Sequence, residues 1–244
     1  MKKLSIALTL CLPLGLFATE TVNALLPQIN TAIVTDETTQ GDVLDPIAKL
    51  VPQVQQEQAA QRFIDVISVM QTFQAKFDQL SVSNNRNAMQ ESSGTLKIKK
   101  PGKYAWIIDA PRQSYELSNA KKLWKYDVDL EEVDIDKVSE KNNQFMRLLQ
   151  IEETSELLNE YQIIADQYGD ESVFSFIPHE NQYEVSQITI SFVAKKLNNI
   201  RIQTDLAQAT LFDFSEVVIN EPIKDSMFEL AIPEGVDVYD NTLF

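Results

Sequence analysis

Side chains able to make or break bonds are scarce in this 244-residue chain. His179 is its single histidine, set in the turn-like segment IPHENQ, and Cys11 is its single cysteine, inside an apolar N-terminal run. Nucleophilic catalysis needs a nucleophile, a base and an orienting group together, so a lone histidine supports no His-based triad. With one histidine and one cysteine there is also no His/Cys metal cluster. Gly102-Lys103 lacks the upstream glycine and the following Ser/Thr of a phosphate loop, and Lys103 precedes a strand pattern rather than a helix. Neither GxSxG nor GxGxxG occurs. The acidic run DVDLEEVDID (127–136) offers oxygen ligands for calcium. It has no glycine for the bend, and Val128, Leu130, Val133 and Ile135 give it the character of a solvated strand edge. The expectation is a protein that is not an enzyme and that uses no cofactor or metal.

One stretch stands apart from this acidic chain. KKPGKYAWIIDAP (99–111) sets lysines beside Tyr104 and Trp106, as a nucleic-acid surface would. The chain, however, carries 21 Lys+Arg against 36 Asp+Glu, a net charge of −15, which opposes binding to nucleic acid or anionic membrane through a general field. Alternation also opposes it, because Lys97 and Lys99 fall opposite Leu96 and Ile98, as solvent-facing lysines of a half-buried strand do. Lys100 has the parity of Leu96 and Ile98, which aims it at the inner, apolar face.

The elements that would position these residues follow from periodicity. Lys2 and Lys3 followed by apolar Leu4–Phe17, with Val22-Asn23-Ala24 behind, predict a signal peptide over 1–24 and export, with cleavage after Ala18 as the alternative. Cys11 follows Leu10 rather than a small residue, so a lipid anchor there is not expected. Removing that segment (Lys2, Lys3 and Glu20, +1 in total) takes the net charge from −15 to −16. Residues 25–54, broken by Pro27, Pro46 and Pro52, read as an acidic, flexible extension. Phe63, Ile67 and Met70 then recur at helical spacing within Gln53–Gln71. From Phe73 the period becomes two, and candidate strands recur to Met227–Leu230, separated by Pro101-Gly102, Asn119, Gly169-Asp170 and Asn198-Asn199. Between them NQFMRLLQIEETSELLNEY (143–161) predicts two short helices split near Glu152–Thr154, with Thr154 or Ser155 as cap. The fold class is α+β: a large curved antiparallel sheet forming an unclosed β-barrel, covered on one face by short α-helices. Whether the helices fill that face as an ordinary core or lie over a cavity for an apolar ligand is open at this level.

FQAKF after a helix, GTLKIKKPGKYAW, LWKYDVDLEEV, NQFMRLLQ and the terminal FELAIPEGVDV occur in the order found in the periplasmic outer-membrane lipoprotein carrier family, LolA, which this chain resembles over about 55–238. The resemblance implies a lipoprotein-carrier half-barrel domain over 55–244, acting as a monomer. It would hold the acyl chains of lipoproteins and carry them from an inner-membrane lipoprotein-releasing ABC transporter to a LolB-like outer-membrane receptor. The cavity or lid would then use Phe63, Ile67, Met70, Phe77, Leu96, Ile98, Tyr104, Trp106, Phe145, Met146 and Leu149, for which plain core packing is the alternative. The family places an arginine where Lys100 stands, tying lid to barrel, so Lys100 becomes a candidate latch; a solvated strand-end lysine is the alternative. A lysine supplies a mobile ammonium rather than a planar fork, which implies a weaker latch. Ala120 replaces a glycine frequent in the family's turn before LW, and the acidic extension is absent from the family core. The other functional classes left open are a binding or sensing module for another amphiphile such as a glycolipid, and a lipid-modifying enzyme.

Overall fold

The structure is a computed structural model that describes residues 52–83, 89–139, 144–180, 185–204 and 208–243. The expected signal peptide and nearly all of the extension lie outside the described residues. The first helix, α1 (Gln53–Ser68), buries Ala59, Ala60, Phe63, Ile64 and Ile67. That is one stripe at three- and four-residue spacing. No side chain caps its N-terminus, so its stability comes from laying this stripe on the rest of the molecule.

Six strands follow: β1 (Thr72–Val82), β2 (Met89–Lys99), β3 (Lys103–Ala110), β4 (Ser114–Asn119), β5 (Lys122–Asp127) and β6 (Glu132–Lys137). Two short helices, α2 (Gln144–Leu148) and α3 (Thr154–Glu160), lead into β7 (Tyr161–Tyr168), β8 (Glu171–Pro178), β9 (Val185–Val193), β10 (Lys196–Thr204) and β11 (Ala209–Ile219). A last strand, β12 (Asp237–Asp240), completes one twelve-stranded sheet in the order β12-β6-β5-β4-β3-β2-β1-β11-β10-β9-β8-β7. All neighbours are antiparallel except β12, which runs parallel to β6. β12 and β7 are the free edges, so the sheet is not closed. Joining β1 to β11 makes the centre of the sheet from the two ends of the domain's chain.

The sheet is apolar on one face through most of its width and on the other face at β3–β6. The larger, inner cluster gathers α1, α2, α3, the inward residues of β1–β3 and β7–β11, and Leu123 of β5. The smaller cluster lies on the opposite face and consists of Ala105, Leu117, Trp124, Val133, Ile135, Ile223 and Phe228. The expectation of a strand at Met227–Leu230 is wrong. Asp225–Phe228 is a 3-10 turn inside a strap that crosses the outer face, where Phe228 is wholly buried and Met227 is exposed. Single-residue anchoring of this kind mimics a short alternating strand in sequence. The strap is fixed by the Thr72 hydroxyl donating to the Glu221 carbonyl at 2.7 Å and by Lys99 donating to the Ile223 carbonyl at 3.0 Å. Lys99 and Lys103 also converge on Asp225, at 2.6 and 2.9 Å. Lys99 therefore points outward as its parity requires, but it is an anchor of the strap rather than a solvated side chain.

Two turns explain local residue choices. Asn119 accepts hydrogen bonds from the Lys121 and Lys122 amides, and Ala120 between them sits at φ 74°. That left-handed conformation costs a β-carbon about 1–2 kcal/mol, which gives the Ala120 position a physical reason to favour glycine. At Gly94 a β-carbon would lie 1.9 Å from the Ile107 carbonyl oxygen and 2.8 Å from the Phe77 ring. The register between β2 and β3 shifts at that point. The helix cap expected at Thr154 or Ser155 is absent: α3 begins after Glu153 with no side-chain cap bond, and it buries Leu157.

Two outcomes check this account. Gly94→Ala should destabilise the domain by about 1–3 kcal/mol, as overpacking against backbone does, read from denaturant unfolding; an unchanged midpoint would contradict the close approach. Hydrogen bonds from Lys99 and then Lys103 hold the Asp225 carboxyl at about 2, below its ordinary value of 3.8. Because the folded value is depressed, its contribution is present above about pH 4 and fades as pH falls toward 2. NMR titration of Asp225 near 3.8 would show the strap unclamped.

Candidate functional site

All eleven residues singled out for an apolar interior belong to one contiguous buried cluster: Phe63, Ile67, Met70, Phe77, Leu96, Ile98, Tyr104, Trp106, Phe145, Met146 and Leu149. None is more than 8% exposed. Strand alternation puts Phe77, Leu96, Ile98, Tyr104 and Trp106 on the sheet side of this interior, and the helices bring the others down on top.

The cover has two parts with different footings. α1 seats Phe63 among Phe174, Phe176 and Phe192, with ring centroids 5.2, 4.8 and 6.2 Å away. It also packs on α3 and β7, and Arg62 reaches Gln167 on β7 at 3.1 Å. α2 has only five residues and rests on a second aromatic group. There Phe145 stacks on Phe212 at 5.6 Å and meets Trp106 edge-on at 5.3 Å, while Trp106 stacks on Phe77 at 4.1 Å. Arg147 ties α2 to α3 through Glu156 at 2.8 Å and through both oxygens of Glu160. Burial opposes the Arg147 charge, but the hydrogen bonds it donates to Glu160 and Glu156 more than compensate and raise its pKa. The two short helices are thereby joined as one unit.

Lys100 sits where α1 ends. Its Nζ donates to the Ile67 carbonyl at 3.0 Å, in the last turn of the helix, where a cation gains about 0.3–1 kcal/mol from the helix dipole. Burial lowers the Lys100 pKa, and the charge of Glu152, between α2 and α3, works against that shift. Lys100 thus bridges the sheet, α1 and the field of the α2–α3 connection. The same helix end is closed by Asn220, whose Nδ2 donates to the Val69 carbonyl at 2.9 Å.

Sequence reading missed the partners. Phe174, Phe176, Phe192 and Phe212 read only as strand residues, since their helix partners lie far away along the chain and leave no local signal. The Glu156–Glu160 pair, one helical turn apart beside a short helix carrying Arg147, was a signal available in the sequence. Tyr104, besides its packing, donates its hydroxyl to Glu116 at 2.6 Å. Burial first, then the Glu116 charge, raises its pKa. His179 bonds through Nε2 to the Leu158 carbonyl at 3.1 Å, a turn contact. Among the described residues, no three His, Cys, Asp or Glu side chains gather as a metal ion requires, and no helix is long and apolar enough to cross a membrane.

Comparison with known proteins bears on this site. Residues 68–231 match the family model described as outer membrane lipoprotein carrier protein LolA. An outer-membrane lipoprotein carrier protein of Pseudomonas aeruginosa is 31% identical over 180 residues, covering 74% of this chain and 86% of that protein. One from Coxiella burnetii is 27% identical over 184 residues, covering 75% and 87%. A solved LolA superfamily protein from Nitrosomonas europaea superposes with a TM-score of 0.43 at 9% identity, over 70% of this chain and 98% of that one.

The two tryptophans lie on opposite faces, Trp106 inside and Trp124 beneath the strap. An apolar probe entering under α2 must part Phe145 from Trp106. Emission of the Trp124→Phe variant should therefore shift on adding the probe, and that of Trp106→Phe should not. A response from Trp124 alone would place binding on the other face.

Proposed function

The chain belongs to the outer-membrane lipoprotein carrier family, LolA, and we propose that it holds the acyl chains of lipoproteins beneath its helices while carrying them through the periplasm. The donor in this reading is an inner-membrane ABC transporter and the acceptor an outer-membrane receptor. Family membership supports a lipoprotein carrier role. The observation that carries the finer reading is the dissymmetry of the cover: an apolar interior closed by a well-seated α1 and a lightly seated α2.

The physical requirement on such a carrier is reversible burial. An acyl chain of about 15 methylenes gains about 12 kcal/mol when fully buried, at about 0.8 kcal/mol per methylene. Three such chains fully buried would exceed the practical ceiling of non-covalent affinity, about 20 kcal/mol, and would never be released. A cover that competes for the same surface solves this. Phe145, Met146 and Leu149 occupy the aromatic wall when cargo is absent and return to it when cargo leaves. Gln150 at the end of α2 supports this role. Its Oε1 is buried without a hydrogen-bond partner among the described residues, a defect costing about 1–3 kcal/mol that lowers the cost of lifting α2.

Lys100 is then the latch, returning the end of α1 to the sheet after release. A single ammonium contact is weaker than a bidentate guanidinium, so closure here depends more on apolar packing. Catalysis has no part in this scheme, which needs only the exchange of one apolar cover for another.

Mass spectrometry of material co-purified with the protein from the periplasm should show triacylated lipoproteins; glycolipid alone would overturn the reading. Lys100→Leu should fold with near-normal stability, retain cargo, and transfer it to the receptor several-fold more slowly. Lys100→Arg should restore transfer. Unchanged transfer by Lys100→Leu removes Lys100 from the mechanism.

A further inference from the structure

The inner face does not stay apolar across the sheet. Leu96, Trp106, Glu116, Lys125 and Asp134 are direct cross-strand partners from β2 to β6 and so share that face in one row. The adjacent row runs Ile98, Tyr104, Ser118, Leu123, Asp136. Within three strands this row passes from Trp106, in the aromatic wall, to Lys125 and Asp134, exposed to solvent. The strands cannot present their other side instead. Leu117, Trp124, Val133 and Ile135 are already buried under Ile223 and Phe228 of the strap. The polar floor is therefore a fixed part of the face that continues the apolar interior.

We infer that this floor on β4–β6 receives the peptide of an acylated cargo, and that the peptide it suits is cationic. This rests on the carrier reading and adds an orientation and a charge preference to it. An amphiphile with its chains under α2 has its polar end pointing either toward β7 or toward β4–β6. The first direction is occupied, since α1 packs on α3 and β7 and α3 packs on β7. The second leads onto the floor. Its carboxylates, Glu116, Asp127, Glu132, Asp134 and Asp136, face one lysine, Lys125, among the described residues. Some are engaged locally: Glu116 accepts the Tyr104 hydroxyl, Asp127 the Asp129 and Leu130 amides, and Asp136 the Asn241 side-chain amide. The donors to Asp127 and Asp136 are neutral, so those charges remain to attract a basic segment.

The test uses the purified protein and synthetic tripalmitoylated peptides whose acylated cysteine is followed by four lysines, four glutamates or four serines. At low ionic strength the lysine peptide should bind about tenfold tighter than the glutamate peptide. That preference should shrink as salt is added. It should fall below about twofold in the combined variant Glu116→Gln, Glu132→Gln, Asp134→Asn, with serine-peptide binding retained as the check on folding. The control variant Asp78→Asn, Asp166→Asn, Asp213→Asn removes as much charge from the opposite face, as strand register places it. It should keep the preference. Equal binding of lysine and glutamate peptides, or equal loss in both variants, overturns the inference while leaving the carrier reading standing. Binding of none of the three peptides overturns the carrier reading and this inference with it.

Discussion

The inner face of β1–β3 and β7–β11 is apolar, and nothing closes the sheet over it. Everything else in the molecule answers to that constraint. Each large apolar side chain left in water would cost about 1.5–3 kcal/mol, so the face must be covered. The cover available is three helices of which none is stable alone: α1 has no N-terminal side-chain cap, and α2 and α3 have five and seven residues. Helices of such length form only when their apolar stripe is buried. Sheet and cover are therefore interdependent.

For cargo to replace the cover, the sheet must persist while the cover is lifted. The outer face supplies that independence. The strap seals Leu117, Trp124, Val133 and Ile135 with Ile223 and Phe228, and β12 pairs along β6, where an open edge would otherwise lie. Lys99 and Lys103 fasten the strap through Asp225. These contacts lie on the face opposite the helices. The lysine-rich stretch at the β2–β3 turn consequently serves two elements on opposite faces of the sheet. Lys99 and Lys103 hold the outer strap, whereas Lys100 between them holds α1 on the inner side.

Much of this was legible because strand parity is strict. A period of two assigned Leu96, Ile98, Tyr104 and Trp106 to one face and pointed Lys100 the same way. The helical spacing of Phe63, Ile67 and Met70 marked the stripe of α1. Parity also gave the outward direction of Lys99, but not its partners, which are more than 120 residues away. The strap segment Met227–Leu230 reads as a strand for a related reason. A segment that buries one residue at a time against a finished surface has no period of its own, so Phe228 and Leu230 resembled the inward residues of a strand.

The sequence by itself determined most of the elements, the faces of its strands and the family. Each of these depends on residues near one another in the chain or on their order. Only the tertiary structure decided which helix is firmly seated, because that depends on Phe63 finding three phenylalanines of β8 and β9 while Phe145 finds Trp106 and Phe212. It alone showed that the apolar face changes sides at β3, turning the row from Leu96 to Asp134 into one surface with an oily end and an ionised end. Strand pairing sets that arrangement. Register is a relation between segments, and no single segment records it.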